Sequence, residues 1–293
     1  MDYTKLKKRA SFPMETIAVA VGFSPRLDAI LAEASRIRTY LSSSLILIHV
    51  GDKTTEKEEI LEKSMKQAGI DAGSCRILWM DGDPVDTILS VCKLNIVDLL
   101  ILGALQKENI LKFYLGSVAR SISRKAKTSV LLITEPKIEI NKVKKIIVNG
   151  VDNPKTIHTI NTSLYLANHI GAKELTIVTE VHNPALAMTM AESSTAPEAS
   201  KIKKDMVEEQ VTRLTPIISD AGEKYPEIKI KEKLVNGKPG YAISNYAKTK
   251  NADLLVINST DAHLGIIDRI FAHDIEYILQ DLPCNVLIVH SRI

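Results

Sequence analysis

Aromatic residues are scarce, at 4% of the 293 positions. That scarcity excludes a stacking platform for single-stranded nucleic acid, which needs several exposed rings in a basic groove. Charge of one sign is missing as well. Lys and Arg number 38 against 35 Asp and Glu, a formal net charge of +3, without the basic surplus that a nucleic-acid binder concentrates on one face. The three cysteines, Cys75, Cys92 and Cys284, form no Cys-x-x-Cys pair. An odd, scattered set excludes a disulfide framework and fits reduced thiols in the cytosol. The N-terminal MDYTKLKKRASFP is basic, but no apolar run of secretory length follows it. The longest apolar stretches, such as Ile96 to Leu105 with Asp98 inside, are too short to span a bilayer. The expected location is the cytoplasm, with no membrane segment in the chain and no nucleic acid as partner. Walker-type Gly-Lys-Ser and Gly-x-Ser-x-Gly sequences are also missing, which leaves Ser117 without the surroundings of a nucleophile.

What the chain does have is an apolar share of 45% beside 25% charged residues, the balance of a folded protein, and length for two domains of ordinary size. It also repeats itself. Gly82 to Gly103 reads GDPVDTILSVCKLNIVDLLILG and Gly237 to Asn258 reads GKPGYAISNYAKTKNADLLVIN, so Gly82/Gly237, Pro84/Pro239, Ile88/Ile243, Lys93/Lys248, Asp98/Asp253, Leu99/Leu254 and Leu100/Leu255 coincide at one offset. Each copy has a Gly-x-Pro turn, an amphipathic helix, then Asp and a buried strand.

The remaining elements follow in pairs. First strands are expected at Ile17 to Val21 and Ile146 to Val148, second at Leu45 to Val50 and Leu175 to Val178, third at Cys75 to Met80 and Ile228 to Leu234. Fifth strands are expected at Ser129 to Ile133 and Asn285 to Val289. Arg26 to Leu41 carries Leu27, Ile30, Leu31, Ala34, Ile37 and Leu41 at helical spacing, with Pro25 near its start. Strands rich in Val, Ile and Leu without polar alternation, separated by helices, predict an α/β fold of two repeated, doubly wound parallel sheets. The seam falls at about Glu135 to Lys144, giving domains at 14–136 and 143–293. In the second copy His182 to Ser200 reads as a surface loop, and Lys201 to Ala221 as a charged helix with a solvated face.

After the fourth strand of the first copy the chain runs Gly103-Ala-Leu-Gln106, nine residues, then Gly116-Ser117. A glycine at a strand end lets backbone approach a ligand closely, and Gly116-Ser117 opens a helix through Arg124 whose free N–H groups suit phosphate. This spacing, with the Gly-x-Pro turn, the His49-Val50 end of the second strand and the doubling, resembles the universal stress protein family in its tandem form. The resemblance covers nearly the whole chain. It implies Rossmann-like, adenine-nucleotide-binding-type domains packed as a pseudo-dimer through their fifth strands, further pairing of two chains as a homodimer, and a regulatory, stress-response role. It also implies ATP or another adenine nucleotide held in the first copy by Ala20, Gly22, Val50, Leu102, Gly103, Gln106, Gly116, Ser117 and Val118, with no metal beyond nucleotide-associated Mg. Two of these depart from the family pattern: Gln106 stands where the loop has its second glycine, and Gly22 where the first strand ends in an acidic residue. Lys107, Lys112 and Arg120 lie near enough in sequence to assist a phosphate.

In the second copy Gly103 becomes Asn258, Gln106 becomes Asp261 and Gly116-Ser117 becomes Ala272-His273, with one extra loop residue, so this half reads as scaffold and pairing surface. Asp152 compensates for the missing acid only if its turn is shifted. His273 and Glu276, beside Asp274, share a helical face, but no further cluster has ligand spacing, so ordinary helix capping is the expectation and not a metal site. Cys284, after Pro283, is expected to be a small core residue. No general base or nucleophile is visible, so binding is expected and not catalysis. The alternatives are a weak ATP hydrolase and the soluble regulatory module of a membrane transporter, for which the basic Lys5 to Arg9 stretch would suit a place near the membrane.

Overall fold

A computed structural model describes residues 12–106, 113–140, 142–181, 212, 214–259 and 275–290. Strands β1 (Thr16–Ala20), β2 (Ser44–Val50), β3 (Cys75–Met80), β4 (Leu99–Gly103) and β7 (Ser129–Ile133) form the first half. A two-stranded ladder, β5 (Leu105–Gln106) and β6 (Phe113–Tyr114), stands between β4 and β7. The second half repeats the plan with β8 (Lys145–Asn149), β9 (Glu174–Val181), β10 (Lys229–Asn236), β11 (Leu254–Asn258) and β12 (Asn285–Val289). Helices α1 (Leu27–Leu41), α2 (Thr55–Gln67), α3 (Pro84–Leu94) and α4 (Ser117–Lys125) connect the first set. Helices α5 (Thr156–Ile170), α6 (214–224), α7 (Tyr241–Thr249) and α8 (275–280) belong to the second.

All ten long strands join one sheet in the order β10-β9-β8-β11-β12-β7-β4-β1-β2-β3. Within each half every pairing of the long strands is parallel. The halves meet where β7 and β12 run antiparallel, with Leu132 opposite Val286, Leu131 opposite Leu287 and Val130 opposite Ile288. The fifth-strand pseudo-dimer that the resemblance implies is therefore the fold itself, a continuous ten-stranded sheet. Its apolar layers run across both halves: one beneath α1, α2, α5 and α6, including Leu31, Leu61, Leu164 and Leu214, the other beneath α3, α4, α7 and α8, including Ile88, Ile122, Ile243 and Leu279. Strands buried on both faces explain why the sequence shows apolar runs and no alternation.

Two repeated features of the sequence acquire physical reasons. Asp98 is 3% exposed, and its Oδ2 accepts hydrogen bonds from the backbone N–H groups of Glu15 and Thr16, each 2.9 Å away. Asp253 does the same for Lys144 (2.8 Å) and Lys145 (2.9 Å). Each carboxylate thus pins the start of its half's first strand against its fourth. The repeated Gly-x-Pro turn needs glycine because Gly82 has φ +116° and Gly237 φ +152°, backbone that side chains avoid. In the first copy Asp83 then caps α3 by accepting from the N–H groups of Val85 and Asp86, with Pro84 at the first helical position.

Several strand ends differ from the sequence reading by one to three residues, while β3, β7 and β12 match it. β9 continues to Val181 and β10 to Asn236, because the pair stays in register to the end. The helix expected at Lys201 to Ala221 is described from 214, where it is helical to 224; its earlier part and the loop at His182 to Ser200 lie outside the described residues. No helix among the described residues is long and apolar enough to cross a membrane.

Candidate functional site

From β1 the chain moves outward through β2 to β3, then returns to β4 on the other side of β1 and continues outward to β7. The C-terminal ends of β1 and β4 therefore form a topological switch point, where connections leave in opposite directions and a crevice opens. Pairing of Ala20 with Ile48 and of Val19 with Ile101 brings the ends of β1, β2 and β4 side by side. Ala20, Val50 and Gly103, the last residues of these strands, thus share one edge.

The other expected residues divide. Gly22 is exposed just past β1, and a Cβ built there meets no atom within 4 Å, so space alone does not exclude the family's acidic side chain. Gly103 is exposed, and a Cβ there would come 3.0 Å from the Ile30 Cδ1 atom. Leu102 is 3% exposed in the core, which leaves only its backbone to the edge. Gln106 pairs with Phe113 in the β5–β6 ladder, a closure of the loop that the sequence did not reveal. Gly116 is the N-cap of α4 in extended backbone (φ −60°, ψ 163°) and makes no side-chain cap; the first turn carries no acidic residue. Ser117 and Val118 are exposed in that turn, and Arg120 is half-buried. Lys107 and Lys112 lie outside the described residues.

Two residues outside the expected binding set shape the edge. His49, at the end of β2, donates from Nδ1 to the Val21 carbonyl at 3.0 Å, which holds the turn containing Gly22. Its ring stands edge-on to Phe23 (4.8 Å) and Trp79 (5.1 Å), and its buried Nε2 has no hydrogen-bond partner among the described residues. Arg26, just before α1, donates from Nη1 to the Ala104 carbonyl at 2.7 Å and from Nη2 to the Thr134 carbonyl, and lies 5.8 Å from the centre of the Phe113 ring. Burial pulls this guanidinium below its ordinary pKa, and Glu135 partly restores it through space. The repeat could have revealed it, since the spacing that relates Ile17 to Ile146 relates Arg26 to Lys155.

The corresponding edge of the second half is filled by its own side chains. Asn258 Oδ1 accepts from Thr159 Oγ1 at 2.5 Å, and Asn258 Nδ2 donates to Thr156 Oγ1 at 3.1 Å. Lys155 Nζ reaches the Ser259 carbonyl at 3.4 Å. Glu180, at the second strand's end, accepts from the N–H groups of Gly240 (3.0 Å) and Ile243 (2.8 Å), closing the start of α7 with a carboxylate. Asp152 is exposed past β8. Asp261, Ala272, His273 and Asp274 lie outside the described residues. Glu276 grips Arg124 with two 2.6 Å contacts, so this carboxylate serves a helix-to-helix ion pair between α8 and α4, and it raises the Arg124 pKa. Among the described residues no group of three or more His, Cys, Asp or Glu is placed to hold a metal.

Cys92 is buried and Cys284 partly exposed. Burial pushes both thiols up to about 12, which leaves almost no thiolate at neutral pH. In the folded protein iodoacetamide is expected to modify Cys75 first and to leave Cys92 and Cys284 largely unmodified. Mass spectrometry after timed quenching checks the order, and rapid labelling of Cys284 would contradict it.

The sequence profile of the universal stress protein family matches residues 53–134 and 145–290. A universal stress protein from Archaeoglobus fulgidus superposes with a TM-score of 0.67 at 14% identity, over 96% of this chain and 100% of its own. A functionally unknown protein from Pseudomonas aeruginosa gives 0.66 at 16% identity, over 99% and 95%. The cytoplasmic domain of a prokaryotic cation chloride cotransporter gives 0.54 at 14%, over 95% and 96%. At such identities the likeness is one of fold. No curated protein sequence matches.

Proposed function

This chain belongs to the universal stress protein family, and from that premise we propose that it is a regulatory binding protein whose first half takes ATP or another adenine nucleotide at the β1–β4 edge. The observation that carries the reading is the asymmetry of the two edges. The first has exposed glycines at Gly22 and Gly103, with open space at Gly22, and a start of α4 that nothing negative caps, whereas at the second the side chains of Asn258, Thr156 and Thr159 bond one another across the strand end. In this reading the backbone of Ala20, Gly22, Val50, Leu102 and Gly103 borders the nucleoside. Gln106, Gly116, Ser117 and Val118 border the phosphates, whose charge suits the free N–H groups of α4. Any Mg would arrive with the nucleotide. Binding and not turnover is the proposed output.

Calorimetry on the intact protein with ATP, ADP and AMP tests the reading. Binding at one site per chain is the expected result; no heat with any of them at millimolar concentration overturns it. A second reading, the soluble regulatory module of a transporter, draws support from the fold shared with the cotransporter domain. A transporter gene beside this one, whose product retains the protein on affinity purification, would favour it, and retention by no membrane protein would count against it.

A further inference from the structure

Among the described residues nothing at ion-pair distance balances the positive charge of Arg26. Its side chain is half-buried, and its hydrogen-bond partners are the carbonyls of Ala104 and Thr134. Carbonyls satisfy N–H donors without cancelling a charge, and a partly desolvated cation with no counter-charge is costly. Among the described residues no carboxylate stands at ion-pair distance from it. Glu135 acts on it only through space. The two carbonyl bonds also use only part of the guanidinium's donor set, which is laid out to grip an oxyanion.

Its place makes the missing anion a ligand. Ala104 follows Gly103, the exposed end of β4, and Phe113, beneath the guanidinium, closes the loop that leads to Gly116. In the second half Lys155 occupies the equivalent position, but there the Asn258 side chain fills the strand end beside it. Among the described residues only the first half sets a cation beside an exposed glycine at the strand end. Resting on the nucleotide reading above, we infer that Arg26 makes the first-half site select a phosphorylated ligand over the uncharged nucleoside of the same base, by donating its remaining N–H groups to a phosphate oxygen.

The test compares ATP, adenosine and inorganic triphosphate on the intact wild-type protein and on Arg26→Gln and Arg26→Lys, with thermal melting of each. A charge-assisted bond lost from a binding site lowers affinity by roughly 10- to 100-fold. That loss is expected for ATP in Arg26→Gln, with adenosine affinity unchanged and most of the ATP loss recovered in Arg26→Lys. Equal losses of ATP and adenosine in Arg26→Gln would make Arg26 a clip for the two carbonyls and overturn the inference. If wild type binds triphosphate but neither ATP nor adenosine, and Arg26→Gln loses triphosphate, the nucleotide reading falls while the anion selection stands. If wild type binds none of the three, both fall.

Discussion

Replacing Asp98 with alanine is expected to lower the unfolding free energy by about 3 kcal/mol, the loss expected when a buried carboxylate that accepts two backbone hydrogen bonds is removed. The donors are the N–H groups of Glu15 and Thr16, both served by one oxygen of a side chain that is 3% exposed. They lie at the start of β1, which is hydrogen-bonded to β2 on one side and β4 on the other, so slack there reaches the middle of the first half. Asp253→Ala removes the equivalent pair of bonds, to Lys144 and Lys145. That carboxylate is partly exposed and water can replace it, so about 1 kcal/mol is expected there. Urea denaturation of the two variants beside wild type gives the comparison. Equal losses, or a larger one at Asp253, would show that burial does not set the difference between the copies.

The same aspartates show how far the sequence could be read. The Asp-Leu-Leu repeat located both fourth strands, and the apolar runs Ser129 to Ile133 and Asn285 to Val289 marked both fifth strands to the residue. Strands buried on both faces are dense in Val, Ile and Leu, so their limits stand out against charged helices. The edge strand β10 does not behave this way, although β3, at the opposite edge, was marked at both ends. β10 alternates lysines with Ile230, Glu232 and Leu234, and its end at Asn236 follows from pairing with β9 and not from its own composition. At the candidate site, the glycines and Ser117 stood out in the sequence because a loop motif is local. The contacts that shape the edge are not local: His49 answers Val21, Arg26 answers Ala104 and Thr134, and Asn258 answers Thr156 and Thr159. Hydrogen bonds between residues so far apart in the chain leave no periodicity to detect. The sequence identified the second half as altered at Asn258, and the structure supplies the reason, an amide side chain where the first half keeps a glycine.

Gly116→Asp is expected to abolish nucleotide binding, with affinity lowered by more than ~100-fold, while the protein becomes no less stable. The two halves of that expectation come from one geometry. Gly116 caps α4 in extended backbone (φ −60°, ψ 163°), a conformation open to any residue, so aspartate introduces no backbone strain. At an N-cap its carboxylate accepts from the second or third N–H of the helix, a contact that stabilises by about 1 kcal/mol, and its charge suits the helix's positive end. The glycine now there makes no such bond, and α4 has no acidic residue in its first turn. The substitution would therefore satisfy inside the chain the same N–H groups that the proposed phosphate needs, and would add repulsion between two anions. Loss of affinity through damage to the fold would lower the melting temperature together with binding; occupation of the cradle raises or preserves it. Calorimetry with ATP and a thermal melt on the same preparation distinguish the two. A variant that still binds ATP at wild-type strength would place the phosphates away from the start of α4.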